Sequence, residues 1–299
     1  MKRREFLKLL FLSFLGFLHR KVAWTEPLPW ISVAEGKNIP LITRMAINML
    51  GGMDRFVKRG DRVVVKPNIA WNRTPEQAAN THPEVVGEIV RMCREAGAKE
   101  IIVIDHTCHN PRLTYEKSGI REAVLKNGGK MRYAKKFVKK DIPRGKALKE
   151  TEVLREVIEA DVLINVPVVK VHGGAIVTLS MKNLMGVVKD RGKMHRVGLH
   201  QAIADLSTLI RPHLIVLDAT RILLTNGPQG PGKVEYPNQV IAGKDPVALD
   251  SYGSRLLGKV PEKIPHIRIA QEMGIGKINI PARFFKKQTL TLWEEWLTA

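Results

Sequence analysis

The 299-residue chain has two cysteines, few acids and no long apolar run. Two thiols exclude a disulfide framework and a cysteine-rich cluster site. Cys93 shares a helical face with Val86, Ile89 and Val90 and reads as a small core residue, whereas Cys108 lies in a polar loop. Acids number 29 against 49 lysines and arginines, a net charge of +20. The first 21 residues hold six of the cations and one acid, so the remainder still carries +15. Such a field favours anionic partners, among them small molecules, phosphate-bearing ligands and acidic membrane surfaces. It does not select nucleic acid. Lys135-Lys136 and Lys139-Lys140 make a basic edge, but no aromatic stacking platform or helix-turn-helix accompanies them. The apolar run Leu9–Leu18 is too short to span a bilayer comfortably. There is no Walker loop, no G-x-G-x-x-G fingerprint, no G-x-S-x-G elbow and no internal repeat.

What is present begins at the N-terminus. In "MKRREFLKLLFLSFLGFLHRK", Arg3-Arg4 and Phe6-Leu7-Lys8 precede the apolar run, and His19-Arg20-Lys21 follow it. This order resembles a twin-arginine export signal, an address read by a translocase. The expected organisation is a signal segment over residues 1–25 and a single α/β domain over 26–299. The expected location is across the cytoplasmic membrane, in the periplasm or envelope, with the twin-arginine translocase as a transient partner. No A-x-A cleavage site is visible, which leaves room for a tether that stays attached.

The body alternates short apolar strands with helices of about 10–15 residues, the pattern of an α/β fold with a mostly parallel sheet and helices on both faces. Strands are expected at "DRVVVKPN", "EIIVID", "DVLINVPVVKVH" and "HLIVLDAT", with "MRYAKKFV" an edge strand because its charges alternate. Thr81 is expected to cap one helix, with Glu84 completing a capping box, and Thr151 to cap "EVLREVIEA". Asp245 caps a further helix with Pro246 in its first turn. The final "LTLWEEWL" fits either strand or helix.

Parallel sheets bind ligands outside the carboxyl ends of their strands. Here the strands end in Lys66-Pro67-Asn68, Asp105-His106, Lys170-Val171-His172 and Asp218. Four such endings predict one crevice. Lys66, Lys170 and Lys182 form its expected anion clamp, with Asn68 and Asn183 beside them. Gly173-Gly174 would let the backbone approach the ligand, and a following helix N-terminus would add N–H donors. His172, Asp105 and Asp218 are the candidate acid–base groups. "DHTCHN" offers Asp105, His106, Cys108 and His109 to a divalent metal, although neighbours in an extended loop point different ways. Cys108 near His172 would make a nucleophile–base pair, with Ser180 and Ser251 as weaker alternatives. "NGPQGPG" has the composition of a loop that closes over a site.

Taken together, "VVVKPN", "KVH", "SMKNLMG", "NGPQGPG" and "AGKDPVALDSYGSRLLG" resemble domain-of-unknown-function family 362 over roughly residues 61–258. The resemblance marks Lys66, Asn68, Lys170, His172, Lys182, Asn183, Gly186, Asp245 and Asp250 as motif positions. It implies a loose link to iron–sulfur redox work, since many members carry or adjoin C-x₂-C-x₂-C clusters. This chain departs from them, because two cysteines cannot hold a complete four-cysteine cluster, so any cluster would be supplied by a redox partner or held by shared or mixed ligation. Two functions follow: an exported enzyme acting on an anionic substrate or cofactor, or a non-catalytic envelope protein that delivers an anion or metal.

Overall fold

In the computed structural model the described residues are 30–290, so the signal segment and "LTLWEEWL" beyond Leu290 lie outside them. The strands are β1 (Ile31–Glu35), β2 (Arg62–Pro67), β3 (Glu100–Asp105), β4 (Lys130–Tyr133), β5 (Phe137–Asp141), β6 (Glu150–Leu154), β7 (Val162–Val166), β8 (Val168–His172), β9 (Ile176–Thr178), β10 (Leu214–Leu223), β11 (Val234–Glu235), β12 (Gln239–Gly243) and β13 (Phe285–Thr289). The helices are α1 (Ile39–Asn48), α2 (Pro83–Glu95), α3 (Pro111–Lys117), α4 (Ile120–Lys126), α5 (Arg155–Ile158), α6 (Ser180–Asn183), α7 (Arg191–Arg196), α8 (Leu199–Leu209), α9 (Pro246–Leu256) and α10 (Pro265–Glu272). Among these, no helix is long and apolar enough to cross a membrane.

The main sheet runs β13-β1-β12-β10-β7-β2-β3-β4. From β10 to β4 every neighbouring pair is parallel, while β12 is antiparallel to both β10 and β1. The fold is therefore α/β with a mostly parallel mixed sheet. The chain moves outward from β2 through β3 to β4, then returns to place β7 on the other side of β2. That reversal puts a ligand crevice at the carboxyl ends of β2, β3 and β7.

Strand periodicity decides which side chain enters which layer. Val63 and Val65 of β2 pack with α1 and α2, where Ile42, Ile47, Val86 and Ile89 are buried. Val64 points the other way, into the layer holding Ile203 of α8, Leu249 of α9 and Ile267 of α10. Each fully buried valine, leucine or isoleucine contributes about 1.5–3 kcal/mol. The basic strand Lys130–Tyr133 does lie at the sheet edge, beside β3 only.

Two caps differ from expectation. The Thr81 hydroxyl accepts from Asn68 N–H at 2.8 Å and donates to the Val166 carbonyl at 2.7 Å, tying strand ends together. The cap of α2 is His82, whose Nδ1 accepts from Glu84 N–H at 3.2 Å. Thr151 lies inside β6, paired with Lys140 of β5, and α5 starts only at Arg155. Pairing with β5 satisfies its backbone, so tertiary context overrides the capping signal. "MRYAKKFV" is also broken in two, β4 belonging to the main sheet and β5 to a separate ribbon with β6.

Candidate functional site

The segment that delivers the site is built around Pro167. β7 runs in the sheet to Val166, and after the proline β8 continues beside the second half of β10. This carries Lys170 and His172 beyond the carboxyl end of β7. Gly173-Gly174 turns the chain, and β9 returns antiparallel, pairing Lys170 with Thr178 and His172 with Ile176. Ile176 has φ +68°, a conformation that costs a β-branched residue about 1–2 kcal/mol. Helix α6 follows and brings back Lys182 and Asn183.

These residues line one cavity of about 470 Å³ with Lys66, Asn68, Asp105, Cys108 and Gly186. On its floor the Lys66 ammonium, itself fully buried, lies 2.7 Å from Asp105 Oδ1. It also donates to the Pro67 carbonyl at 2.7 Å and to Asn183 Oδ1 at 3.1 Å. The other oxygen of Asp105 accepts from Ile69 N–H at 2.8 Å. Asn183 Oδ1 takes a second donor from Asn68 Nδ2 at 2.9 Å, and its Nδ2 donates to Asn165 Oδ1 at 2.9 Å. Asn68 Oδ1 accepts from Lys170 at 3.2 Å, and Lys170 also donates to the Ala79 carbonyl at 2.5 Å. Two lysines, one carboxylate and three amides thus form a connected buried network, where removing one member strands the others.

Burial sets the electrostatics. Desolvation pulls the Lys66 pKa down, opposed by Asp105. Lys170 has no carboxylate partner, and burial with Lys182 nearby lowers it to about 7. Burial lowers Lys182 to about 8. Lys182 differs from the other two in geometry, because no hydrogen bond or ion pair occupies its ammonium among the described residues. Lys170 and Lys182 therefore change charge near neutral pH, a range suited to acid–base and nucleophilic groups.

His172 is held by its own turn. Gly174 N–H and Ala175 N–H donate to Nδ1 at 3.0 and 3.1 Å. The ring proton therefore sits on Nε2, and the imidazole is a donor to the cavity. Burial and Lys182 lower its pKa to about 3, so it stays neutral.

His106 has the opposite tautomer, since its Nδ1 lies 2.8 Å from the Val188 carbonyl, which only accepts. Its Nε2 is left with a lone pair. Arg191 of α7 fastens this loop, donating to the carbonyls of His106 at 2.9 Å and Thr107 at 3.0 Å and contacting Cys108 Sγ at 3.1 Å.

Several predicted site residues stand elsewhere or serve differently. Asp218 does not reach the cavity. It is buried against Arg221 at 2.5 Å and accepts from His82 N–H at 2.7 Å and the Thr220 hydroxyl at 2.7 Å. Gly173 and Gly174 are exposed and line no part of the cavity, and the N–H of Gly174 is used on His172. His109 accepts from Asn72 N–H and packs edge-on behind Trp71, without lining the cavity itself. His106, Cys108 and His109 therefore do not converge, and among the described residues no group of three or more His, Cys, Asp or Glu is placed to hold a metal. Ser251 donates to Val247 O inside its own helix. Ser180 is bonded to Asp250, which accepts from its N–H and hydroxyl and from Met181 N–H. Burial pushes the Asp250 carboxyl up to about 7, against these donors.

The two remaining motif positions have steric or capping roles. A Cβ on Gly186 would lie 2.0 Å from Asp105 Oδ1 and 2.7 Å from Lys66 Nζ. Asp245 accepts from Val247 and Ala248 N–H as a helix cap. Of the Gly-Pro loop, Pro228 reaches the cavity, and Arg73 holds the Gln229 carbonyl at 3.0 Å.

Trp71, Thr178, Arg191 and His195 also line the cavity and carried no sequence signal. Asn165 did carry one, a lone amide inside an apolar strand.

Comparison with known proteins places this geometry in context. A thylakoid-associated protein of Synechocystis is 29% identical over 254 residues, spanning 78% of this chain and 74% of that one. Among solved structures, the lactate racemase apoprotein of Thermoanaerobacterium thermosaccharolyticum aligns with 12% identity and a TM-score of 0.45, over 75% of this chain. A Thermotoga maritima protein aligns with 11% identity and the same TM-score, over 80% of this chain. The chain spans only 56% and 60% of those two structures. The model of a domain of unknown function, DUF362, matches residues 63–255. That match covers more than half of the sequence and includes every residue of the buried lysine–amide network, and the protein belongs to the DUF362 family.

Proposed function

We propose that this protein is an exported enzyme that acts on a small organic anion held in the Lys66–Asp105–Lys182 cavity. One observation carries the reading: Lys182 presents an amine without an acid partner to a cavity where burial brings its pKa to about 8. Such a lysine attracts an anion while protonated, and as a free amine accepts a proton or attacks an electrophilic carbon. His172 Nε2–H is a second donor, fixed by its turn, in the same cavity. The network fixes Asn183, the chain neighbour of Lys182, and leaves the Lys182 ammonium unengaged. Export is supported by the basic–apolar N-terminus and by the thylakoid association of the Synechocystis relative.

The test is to purify the protein through its own export route and identify bound small molecules by native mass spectrometry. Lys182→Met is expected to fold and to lose the co-purifying anion. A variant that unfolds, yet retains the anion in its folded fraction, overturns the proposal. Slow exchange of a stoichiometric anion without turnover favours a delivery protein instead.

A further inference from the structure

We infer that the anionic group received by this cavity is a carboxylate, held by the Lys182 ammonium and the Nε2–H of His172. The inference rests on the anion-binding reading above and narrows it. A phosphate is commonly cradled by successive backbone N–H groups, either in a glycine-rich turn or at a helix N-terminus. Both features adjoin this cavity, and both are already engaged. The N–H groups of Gly174 and Ala175 point at His172 Nδ1, at 3.0 and 3.1 Å. At the start of α6 the N–H groups of Ser180 and Met181 point at the Asp250 carboxylate, at 2.6 and 3.1 Å. An arginine fork is the other usual phosphate ligand. Arg191 instead directs both terminal nitrogens at the loop of His106, Thr107 and Cys108.

Among the side-chain donors left for a ligand, two stand out. Lys182 supplies one point charge, and His172 supplies one neutral N–H whose direction the turn fixes. A planar carboxylate offers two oxygens to two such donors. Asp105 in the same cavity already carries a negative charge, though paired with Lys66, and disfavours a second charge on the ligand.

The full-length protein is treated with an amine-acylating reagent, and modification of Lys182 is followed by peptide mass spectrometry. Sodium acetate or inorganic phosphate is added at matched ionic strength. Acetate is expected to slow modification of Lys182 about tenfold at saturation, and phosphate to leave it within about twofold. Phosphate protecting as well as acetate overturns the carboxylate inference while the anion-binding reading stands. Protection by neither anion overturns the anion-binding reading itself. His172→Gln is expected to raise the half-protecting acetate concentration about tenfold with the unprotected rate of Lys182 unchanged. In the parent protein, isotope-labelled histidine gives the same answer without a variant: acetate is expected to shift the protonated Nε2 resonance of His172. An unmoved resonance, or a variant protected like the parent, removes His172 from the subsite.

Discussion

Asp250, in the second turn of α9, accepts hydrogen bonds from the N–H of Ser180 at 2.6 Å and of Met181 at 3.1 Å. A residue 70 positions downstream thereby caps the short helix that delivers Lys182 and Asn183. Asp250→Ala leaves two buried N–H groups without their acceptor and the Ser180 hydroxyl with only the Pro246 carbonyl at 3.3 Å, and is expected to cost about 3 kcal/mol or more. Asp250→Asn keeps one acceptor oxygen and is expected to cost about half as much. Urea unfolding compares the two variants, and equal losses would discount the capping role.

Gly186 and the Lys66–Asp105 pair are expected to fail together. A Cβ at Gly186 meets the far ends of two side chains, which ordinarily swing away, but both are buried and locked by hydrogen bonds. Gly186→Ala is therefore expected to destabilise by about 3–5 kcal/mol, the cost of breaking a buried ion pair. Asp105→Asn alone is expected to fall in the same range. The double variant is expected to lose much less than the sum, because the same pair is broken once. Additive losses in equilibrium unfolding would show that Gly186 acts elsewhere.

The buried lysines predict a stability that rises with pH. Lys170 ordinarily titrates near 10.5 and is lowered to about 7 by burial. Below pH 7 folded and unfolded chains both hold the proton, and the cost of a buried ammonium is present in full. Between 7 and 10.5 the unfolded chain binds more protons, so stability rises with pH by up to about 1.4 kcal/mol per unit for this site. Lys170→Met is expected to flatten that slope in urea titrations at pH 7.5 and 9.5. An unchanged slope would remove Lys170 as its source.

Anion affinity is expected to move the other way. Lys182 is cationic below its pKa of about 8 and neutral above it. Acetate binding, read by calorimetry, is expected to weaken as pH rises through 8, by up to about tenfold per unit. The profile of Lys182→Met is expected to be flat over the same range, and a parent profile that is flat would contradict the assignment.

Thr178 lines the cavity, is 3% exposed, and its hydroxyl has no hydrogen-bond partner among the described residues. Thr178→Val replaces that hydroxyl with a methyl group of similar size and is expected to stabilise the protein by about 1 kcal/mol. Thermal unfolding measures it, and a loss of stability would mean that the hydroxyl is satisfied in solution.

Much of the crevice was legible because strand ends are local features. Val63–Val65 and Val162–Val166 had to be buried, and a lysine or carboxylate at the end of such a run must face either water or a ligand. Lys66, Asp105, Lys170, Lys182 and Asn183 do line one cavity. Asp218 gave the same local signal and turned inward to Arg221, three residues along its own strand. Nothing in a strand-end pattern separates a ligand-facing carboxylate from one neutralised by its neighbour. Thr151 shows the same limit for caps: its signal was sound, and its pairing partner in β5 overrode it.

The α/β layering was written in the chain, because the consecutive valines of β2 are buried on both faces and long helical patterns separate such strands. The sequence also determined which lysines and amides end the strands. Tertiary structure alone decided how their donors are spent. The Gly-Gly turn and the helix N-terminus looked ready for an anion, but His172 and Asp250 take their N–H groups. Hydrogen-bond partners 70 residues apart are set by packing, where each buried donor must find an acceptor. That accounting, and not the order of residues, leaves Lys182 and His172 open to the cavity.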